Sequence, residues 1–190
     1  MLEIIGISTA TVAIAEIGDK TQLLAIVLAA RFRQPAPIIL GIFVATLLNH
    51  AAAAGLGYLV AQWLSGRVFQ TVLGLAFIAM AAWALIPDKD DEEAGQRHAG
   101  GVFLTTAVAF FLVEIGDKTQ IATSLLAARF HDVVFVAIGT TLGMMIANVP
   151  AVLMGEAVVR AMPLRTIRAG AAILFALIGV WVVAAAWLSQ

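Results

Sequence analysis

Apolar residues fill the chain in long runs, and charged residues interrupt only some of these runs. Asp, Glu, Lys and Arg are absent from four stretches, namely 34–66, 68–87, 133–155 and 169–190. A membrane-spanning helix needs about 20 predominantly apolar residues. The four stretches therefore predict four spans, at approximately 36–64, 68–87, 133–159 and 166–189.

Two further segments, 4–30 and 101–129, are also long enough to span a bilayer. Each is interrupted by one charged octet, "AEIGDKTQ" at 15–22 and "VEIGDKTQ" at 113–120. Proline and glycine favour breaks between spans, and they occur between the predicted spans at Pro35, Pro37, Gly66 and Pro163. The pattern thus predicts six helices, with one polar linker at 88–100 between the third and the fourth.

Composition places the chain among integral membrane proteins. Of its 190 residues, 62% are hydrophobic and 12% are charged, whereas soluble domains are near half apolar and a quarter charged. The net charge of −1 gives no reason to expect a nucleic-acid partner. The chain has no cysteine, which excludes disulfides and thiolate metal sites.

The chain contains an internal repeat with a shift of 98 residues. Residues 16–22 match residues 114–120 at every position, and "LAARF" occurs at both 28–32 and 126–130. Self-similarity at a fixed shift indicates a duplicated structural unit. We therefore expect two units, 1–87 and 101–190, joined by the acidic linker 88–100.

Three spans in each repeat would make the second repeat enter the membrane from the opposite side. The expected fold is an all-α integral membrane protein with six transmembrane helices in two inverted three-helix repeats. Basic residues favour the cytoplasmic side of a membrane. Seven basic residues lie in the loops after the first, third and fifth spans: Arg31, Arg33, Lys89, Arg97, Arg160, Arg165 and Arg168. Two, Arg67 and Arg129, lie on the other side. This distribution predicts a cytoplasmic linker, external termini and a multi-pass protein of the plasma (inner) membrane.

The octets place ionisable side chains near the middle of two predicted spans. A charge at the bilayer centre costs at least about 2.5–3.5 kcal/mol, so such residues face one another, a wet cavity or an ion. On a helix, Glu16 and Asp19 would share a face, and Glu114 and Asp117 would do the same. Inverted symmetry would bring the two pairs together as a cage of four carboxylates.

Such a cage suits a hard divalent cation, because Ca²⁺, Mg²⁺ and Mn²⁺ prefer oxygen ligands. Further oxygen ligands and charge balance would come from the rest of the two octets: Lys20, Thr21, Gln22, Lys118, Thr119 and Gln120. Three polar residues in the second and fifth spans could line the path or serve helix packing: Asn49, His50 and Asn148.

The two copies of "EIGDKTQ", in helices one and four of a three-plus-three membrane protein, closely resemble the transmembrane protein 165 family, also called uncharacterised protein family 0016. The resemblance covers nearly the whole chain. It implies a cation/proton exchanger that handles Mn²⁺ or Ca²⁺ and uses the motif acids Glu16, Asp19, Glu114 and Asp117 as its cation site. The short linker and the lack of an N-terminal extension favour a bacterial-type member, for which the resemblance implies Mn²⁺ export.

The residues alone leave other functions open. Asp and Lys together could clasp an amino acid or another small solute, and a passive cation channel would look the same in sequence. Asp19 and Asp117 could also form the dyad of an intramembrane aspartyl protease, but the surrounding Lys and Glu suit a cation better than a shared proton. We expect a transporter rather than an enzyme, with no prosthetic group, H⁺ as coupling ion, and the lipid bilayer and a divalent cation as partners. Whether it forms a homo-oligomer stays open.

Overall fold

The structure is a computed structural model that describes residues 1–63, 66–86, 101–154 and 164–188. The predicted linker 88–100 and the predicted break at Pro163 lie outside the described residues. Within these ranges all regular structure is helical, as the apolar runs predicted. The helices, in chain order, are α1 (Leu2–Glu16), α2 (Lys20–Phe32), α3 (Pro35–Trp63), α4 (Gly66–Ala84), α5 (Gly101–Glu114), α6 (Lys118–Phe130), α7 (Val133–Met154) and α8 (Leu164–Leu188).

Four of the described helices, α3, α4, α7 and α8, are long and apolar enough to cross a bilayer, with mean hydropathy from 1.5 to 2.5. They correspond to the four spans that were predicted from the charge-free stretches of the sequence. The segments 4–30 and 101–129 differ from the continuous spans expected. Each forms two helices of 13 to 15 residues, α1 with α2 and α5 with α6, separated at the charged octet.

Large apolar side chains lie on the outside of the helices. On α3, Leu40, Leu48, Leu56 and Leu59 are each more than half exposed. Apolar surface of this extent is rare on soluble monomers, whereas the hydrocarbon of a bilayer covers it without cost. The chain is a multi-pass membrane protein, and many of the polar side chains within its helices are buried.

The helices of each half pack on helices of the other half. The α1 helix packs along α7, the α3 helix packs along α5, and α4 packs along α8. Glycines permit the first two crossings. A Cβ atom on Gly139 of α7 would lie 2.8 Å from the Ile5 carbonyl oxygen of α1, and one on Gly41 of α3 would lie 2.9 Å from the Phe103 carbonyl oxygen of α5. Small residues of this kind let helix backbones approach closely in membranes.

Candidate cation site

Each charged octet breaks its helix in the same way. The α1 helix ends at Glu16 and the α5 helix ends at Glu114, and in both cases the next helix begins four residues later. Between them lies a glycine with positive φ, +81° at Gly18 and +78° at Gly116. Glycine adopts this conformation without the steric cost that other residues incur. The glycine inside each octet is therefore what turns the chain.

An aspartate caps the helix after each break. The Asp19 carboxylate accepts a hydrogen bond from the Lys20 backbone N–H at 2.6 Å. The Asp117 carboxylate accepts one from the Thr119 backbone N–H at 3.3 Å and one from the Thr119 hydroxyl at 3.2 Å. The first N–H groups of a helix have no partner within the helix, and they favour a negative charge. The break thus holds each aspartate in place at a helix N-terminus.

The two glutamines hold the breaks closed. The Gln22 side-chain oxygen accepts from the Gly18 N–H at 2.8 Å, and the Gln120 side-chain oxygen accepts from the Gly116 N–H at 2.7 Å. The Gln22 amide nitrogen also donates to the Ala147 carbonyl of α7 at 2.9 Å. The sequence analysis had predicted that these amide oxygens could be ligands of a cation. In the structure they bond to the glycine backbone instead.

Three carboxylates from the two halves of the chain meet at the breaks. Oxygen atoms of Glu16, Asp19 and Asp117 all lie within 4.8 Å of one another. The three residues are at most 4% exposed. Because α1 ends between them, Glu16 and Asp19 converge through the turn of the break rather than along one helix face. We call these three residues the carboxylate cluster.

The fourth predicted acid has a different neighbour. The Glu114 Oε2 atom lies 3.7 Å from Nε2 of His50 on α3, and both side chains are fully buried. Glu114 nevertheless belongs to the second break, because its carbonyl oxygen accepts the Asp117 N–H at 3.0 Å. The charges of Asp117, Asp19 and Lys20 are close enough to act on Glu114. The Glu114–His50 pair therefore adjoins the carboxylate cluster without being part of it.

The two lysines of the octets point to different places. Lys20 Nζ lies 3.5 Å from Asp117 Oδ1 in the other repeat, which brings a positive charge to the carboxylate cluster. Lys118 Nζ donates to the Ile86 carbonyl oxygen at 2.9 Å and lies 6.0 Å from the centre of the Trp83 ring. The sequences of the octets are the same, but their surroundings are not equivalent.

The remaining predicted residues surround the breaks. Asn49 donates to the Phe111 carbonyl of α5 at 3.1 Å, three residues before Glu114. Asn148 donates to the Met144 carbonyl at 3.1 Å and to the Met144 sulfur at 2.9 Å. Thr21 is buried, and its hydroxyl has no hydrogen-bond partner among the described residues. Asn49 thus links α3 to α5, whereas the Asn148 amide nitrogen bonds within its own helix.

Sequence reasoning missed several hydroxyl groups that are partly or fully buried among the helices. Ser124 on α6 donates to the Ala53 carbonyl of α3 at 2.9 Å and fixes the helix that follows the second break. Four other buried hydroxyls have no hydrogen-bond partner within the described ranges, namely those of Ser8, Thr11, Thr46 and Thr141. Their only signal in the sequence is a polar residue within an apolar run, which is too common in membrane helices to single them out.

A small cavity borders the first break. Its lining includes Gly18, Asp19, Lys118, Arg168 and Phe175. The cavity therefore has both an acid of the carboxylate cluster and two basic residues in its lining.

Comparison with known protein families shows the family to which the chain belongs. Residues 4–92 and 102–190 each match the family described as "Divalent cation/proton antiporter GDT1". The chain belongs to the GDT1 family. The two matched ranges start 98 residues apart (102 − 4), which is the shift that superposes the two octets. The family expected from the duplicated motif is confirmed, and this family comprises transporters, not enzymes.

Relatives of known name cover most of the chain. A protein of Vibrio cholerae serotype O1 named "Putative manganese exporter" is 53% identical over 179 residues, which are 93% of this chain and 88% of the relative. GDT1-like protein 3 of Oryza sativa subsp. indica is 29% identical over 88% of this chain and 69% of its own length. GDT1-like protein 3 of Arabidopsis thaliana is 26% identical over 88% of this chain and 66% of its own length. No solved structure matches the chain significantly.

Proposed function

We propose that the protein exports Mn²⁺, with Ca²⁺ as a second substrate, in exchange for protons. The transported cation binds at Glu16, Asp19, Glu114 and Asp117. The observation that carries the proposal is the carboxylate cluster, in which buried acids from the two repeats lie within 4.8 Å of one another. The name of the Vibrio relative supports Mn²⁺ as the substrate, and the family description supports a divalent cation and a proton.

The cluster explains why metal and protons would compete. Two unit charges 4.8 Å apart repel by about 3 kcal/mol at the effective dielectric constant of about 20 that suits protein sites. Three ionised carboxylates are therefore unstable together, and Lys20 offsets only part of their charge. Either a divalent cation or protons must neutralise the cluster. A site that holds one or the other, and that opens to one side at a time, performs antiport.

The energy of export also favours coupling to protons. Moving a charge out of a cell against an inside-negative potential costs about 2.3 kcal/mol per charge per 100 mV. The sequence has no G-x-x-x-x-G-K-[ST] motif for nucleotide binding. An inward flow of protons supplies this energy through the same carboxylates.

The proposal includes six spans in two inverted repeats. The first and fourth spans consist of α1 with α2 and of α5 with α6, each broken at its octet. Helix packing supports the symmetry, because α1 packs on α7 while their counterparts α5 and α3 also pack together. Broken helices that meet near the bilayer midplane are a common device for ion sites in transporters.

Transport by the purified protein in proteoliposomes tests the function. Vesicles loaded with Mn²⁺ or Ca²⁺ receive an imposed pH gradient, and metal flux is followed together with an internal pH dye. We expect metal efflux to accelerate when the outside is acidic, with protons moving inward in a fixed ratio. An Asp117→Asn protein is the matched inactive control. Metal flux that ignores the pH gradient, without counterflow of protons, would identify a channel or uniporter instead.

A further inference from the structure

Among the residues that the structure describes, His50 is the one histidine next to an acid of the charged octets. Its side chain on α3 is fully buried, and neither ring nitrogen has a hydrogen-bond partner among the described residues. Both carboxylate oxygens of Glu114 are in the same situation. A buried polar group without a partner costs about 1–3 kcal/mol. Four such atoms on two facing side chains indicate that the pair is built to hold a third group.

The geometry of the pair fits a metal ion. The Nε2 atom of His50 and the Oε2 atom of Glu114 lie 3.7 Å apart. An ion about 2.2–2.5 Å from each atom would see them at an angle of roughly 95–115°, within the range of ordinary metal sites. Direct hydrogen bonds between nitrogen and oxygen are shorter, about 2.7–3.2 Å. The 3.7 Å separation of the two atoms therefore fits an ion bound between them better than a direct hydrogen bond.

We infer that His50 supplies a nitrogen ligand to the transported cation beside Glu114, and that this ligand favours first-row transition-metal ions over Ca²⁺ and Mg²⁺. This inference rests on the proposed cation transport, and it adds a reason for selectivity among the transported cations. Oxygen ligands alone suit Ca²⁺, Mg²⁺ and Mn²⁺ alike. Imidazole is a common ligand of transition metals but is not among the usual ligands of Ca²⁺ and Mg²⁺.

Only one repeat carries this nitrogen. The 98-residue shift places Asn148 of α7 at the position of His50. The Asn148 side-chain oxygen is buried and accepts no hydrogen bond from the described residues. It offers an amide oxygen, a ligand that Ca²⁺ accepts readily. The natural replacement for His50 is therefore asparagine, which would give both repeats the same oxygen chemistry.

Transport selectivity gives the first test. Mn²⁺, Co²⁺ and Ca²⁺ fluxes are measured for His50→Asn and for the matched control His131→Asn, which makes the same change at an exposed helix end. Even residues that only orient a metal ligand cost about 10- to 100-fold in metal affinity when lost. We therefore expect His50→Asn to lower the Mn²⁺-to-Ca²⁺ ratio about tenfold or more. The Co²⁺-to-Ca²⁺ ratio should fall further, in the Irving–Williams order. An unchanged ratio, with all fluxes reduced together, would show a structural role and overturn the inference.

Pulsed electron paramagnetic resonance of bound Mn²⁺ gives a second test that does not require the His50 variant to fold. The chain has three histidines, so His98→Asn with His131→Asn leaves His50 as the sole source of imidazole nitrogen. We expect a nitrogen coupling to Mn²⁺ in this double variant. This coupling should change when the histidine is labelled with ¹⁵N. Bound Mn²⁺ without nitrogen coupling would overturn the role of His50 while leaving the carboxylate site intact. Wild-type protein that neither binds nor transports Mn²⁺ would remove the proposed function itself.

Discussion

The carboxylates of the two octets have different surroundings although the octets share one sequence. Glu16 lies with Asp19 and Asp117, whereas Glu114 lies 3.7 Å from His50. Likewise Lys20 reaches Asp117, and Lys118 reaches the carbonyl of Ile86. Each side chain therefore has its own electrostatic role, and equivalent substitutions in the two repeats are not interchangeable.

We predict that neutralising any one of the four acids cripples cation transport without removing the protein from the membrane. The substitutions are Glu16→Gln, Asp19→Asn, Glu114→Gln and Asp117→Asn. A hydrogen bond or contact to a charged group contributes about 1.5–3 kcal/mol, so loss of one carboxylate should weaken cation binding roughly 10- to 100-fold. Metal uptake into vesicles measures the effect. Glu3→Gln, at an exposed acid of α1, is the control, and wild-type rates in two of the four variants would contradict a shared site.

At this scale the sequence indicated which acids to consider, and the structure brings three of them together. The duplicated motif singled out the four acids, because charges in an apolar span need a function or a partner. It did not predict that Gln22 and Gln120 would bond to the glycine N–H groups, nor that Glu114 would face His50. These contacts depend on the direction of the chain after Gly18 and Gly116, and a spacing argument that assumes a continuous helix gives another direction.

The paired helix breaks are the central elements of the fold. Each combines a glutamate at the end of one helix, a glycine with positive φ, an aspartate at the start of the next helix and a glutamine that accepts from the glycine. Apolar periodicity could not locate these breaks, because apolar residues continue on both sides of each break. The glycine inside the octet was the only local sign.

We predict that Gly116→Ala impairs transport through backbone strain alone. A Cβ atom at Gly116 would meet nothing within 4 Å, so space is not limiting, but its φ of +78° is costly for alanine. Left-handed backbone costs other residues roughly 1–2 kcal/mol, which shifts a two-state equilibrium about 5- to 30-fold. Initial rates in proteoliposomes measure the loss. Gly6→Ala on α1 has the same free space without positive φ, and an equal loss there would rule out strain as the cause.

A second prediction concerns the contact between α3 and α6. A Cβ atom on Gly57 would overlap the Ser124 carbonyl oxygen, whereas one on Gly55 would meet nothing within 4 Å. Overpacking costs about 1–3 kcal/mol, or about 2–12 °C in the unfolding midpoint of a chain of this size. We expect Gly57→Ala to lower the thermal midpoint in detergent by that amount. Gly55→Ala should not lower it, and equal shifts in the two variants would show that α6 does not lie against Gly57.

The whole molecule consists of two halves that complete each other. The α1–α7 and α3–α5 contacts, with the hydrogen bond from Gln22 to Ala147, join one half to the other. Composition predicted the membrane class, and the 98-residue shift predicted the duplication. Both features can be read from the order of the residues without knowledge of their contacts. The depth and orientation of the helices in the bilayer depend on the membrane itself, and they stay predictions.

We predict that the linker 88–100 is cytoplasmic and that both termini are external, because basic residues collect on the linker side. The chain has no cysteine, so single cysteines can be introduced at Ala94, Leu2 and Ser189. An impermeant thiol reagent added to intact cells should label Leu2→Cys and Ser189→Cys. Ala94→Cys should react only after the cells are opened. Labelling of Ala94→Cys from outside would reverse the topology.

The ion pair between Lys20 and Asp117 also has a consequence for biosynthesis. Its two members are 97 residues apart in the chain, and a ribosome adding about 5–20 residues per second needs roughly 5–20 s to cover that distance. During this interval the first octet has been made and the second has not. A charge in the bilayer centre costs at least about 2.5–3.5 kcal/mol. Under the proposed six-span topology, we therefore expect the nascent α1–α2 segment to stay in the insertion channel or at the interface until its partner emerges. We therefore expect the first octet to reach its final place in the membrane only after the second octet has been synthesised.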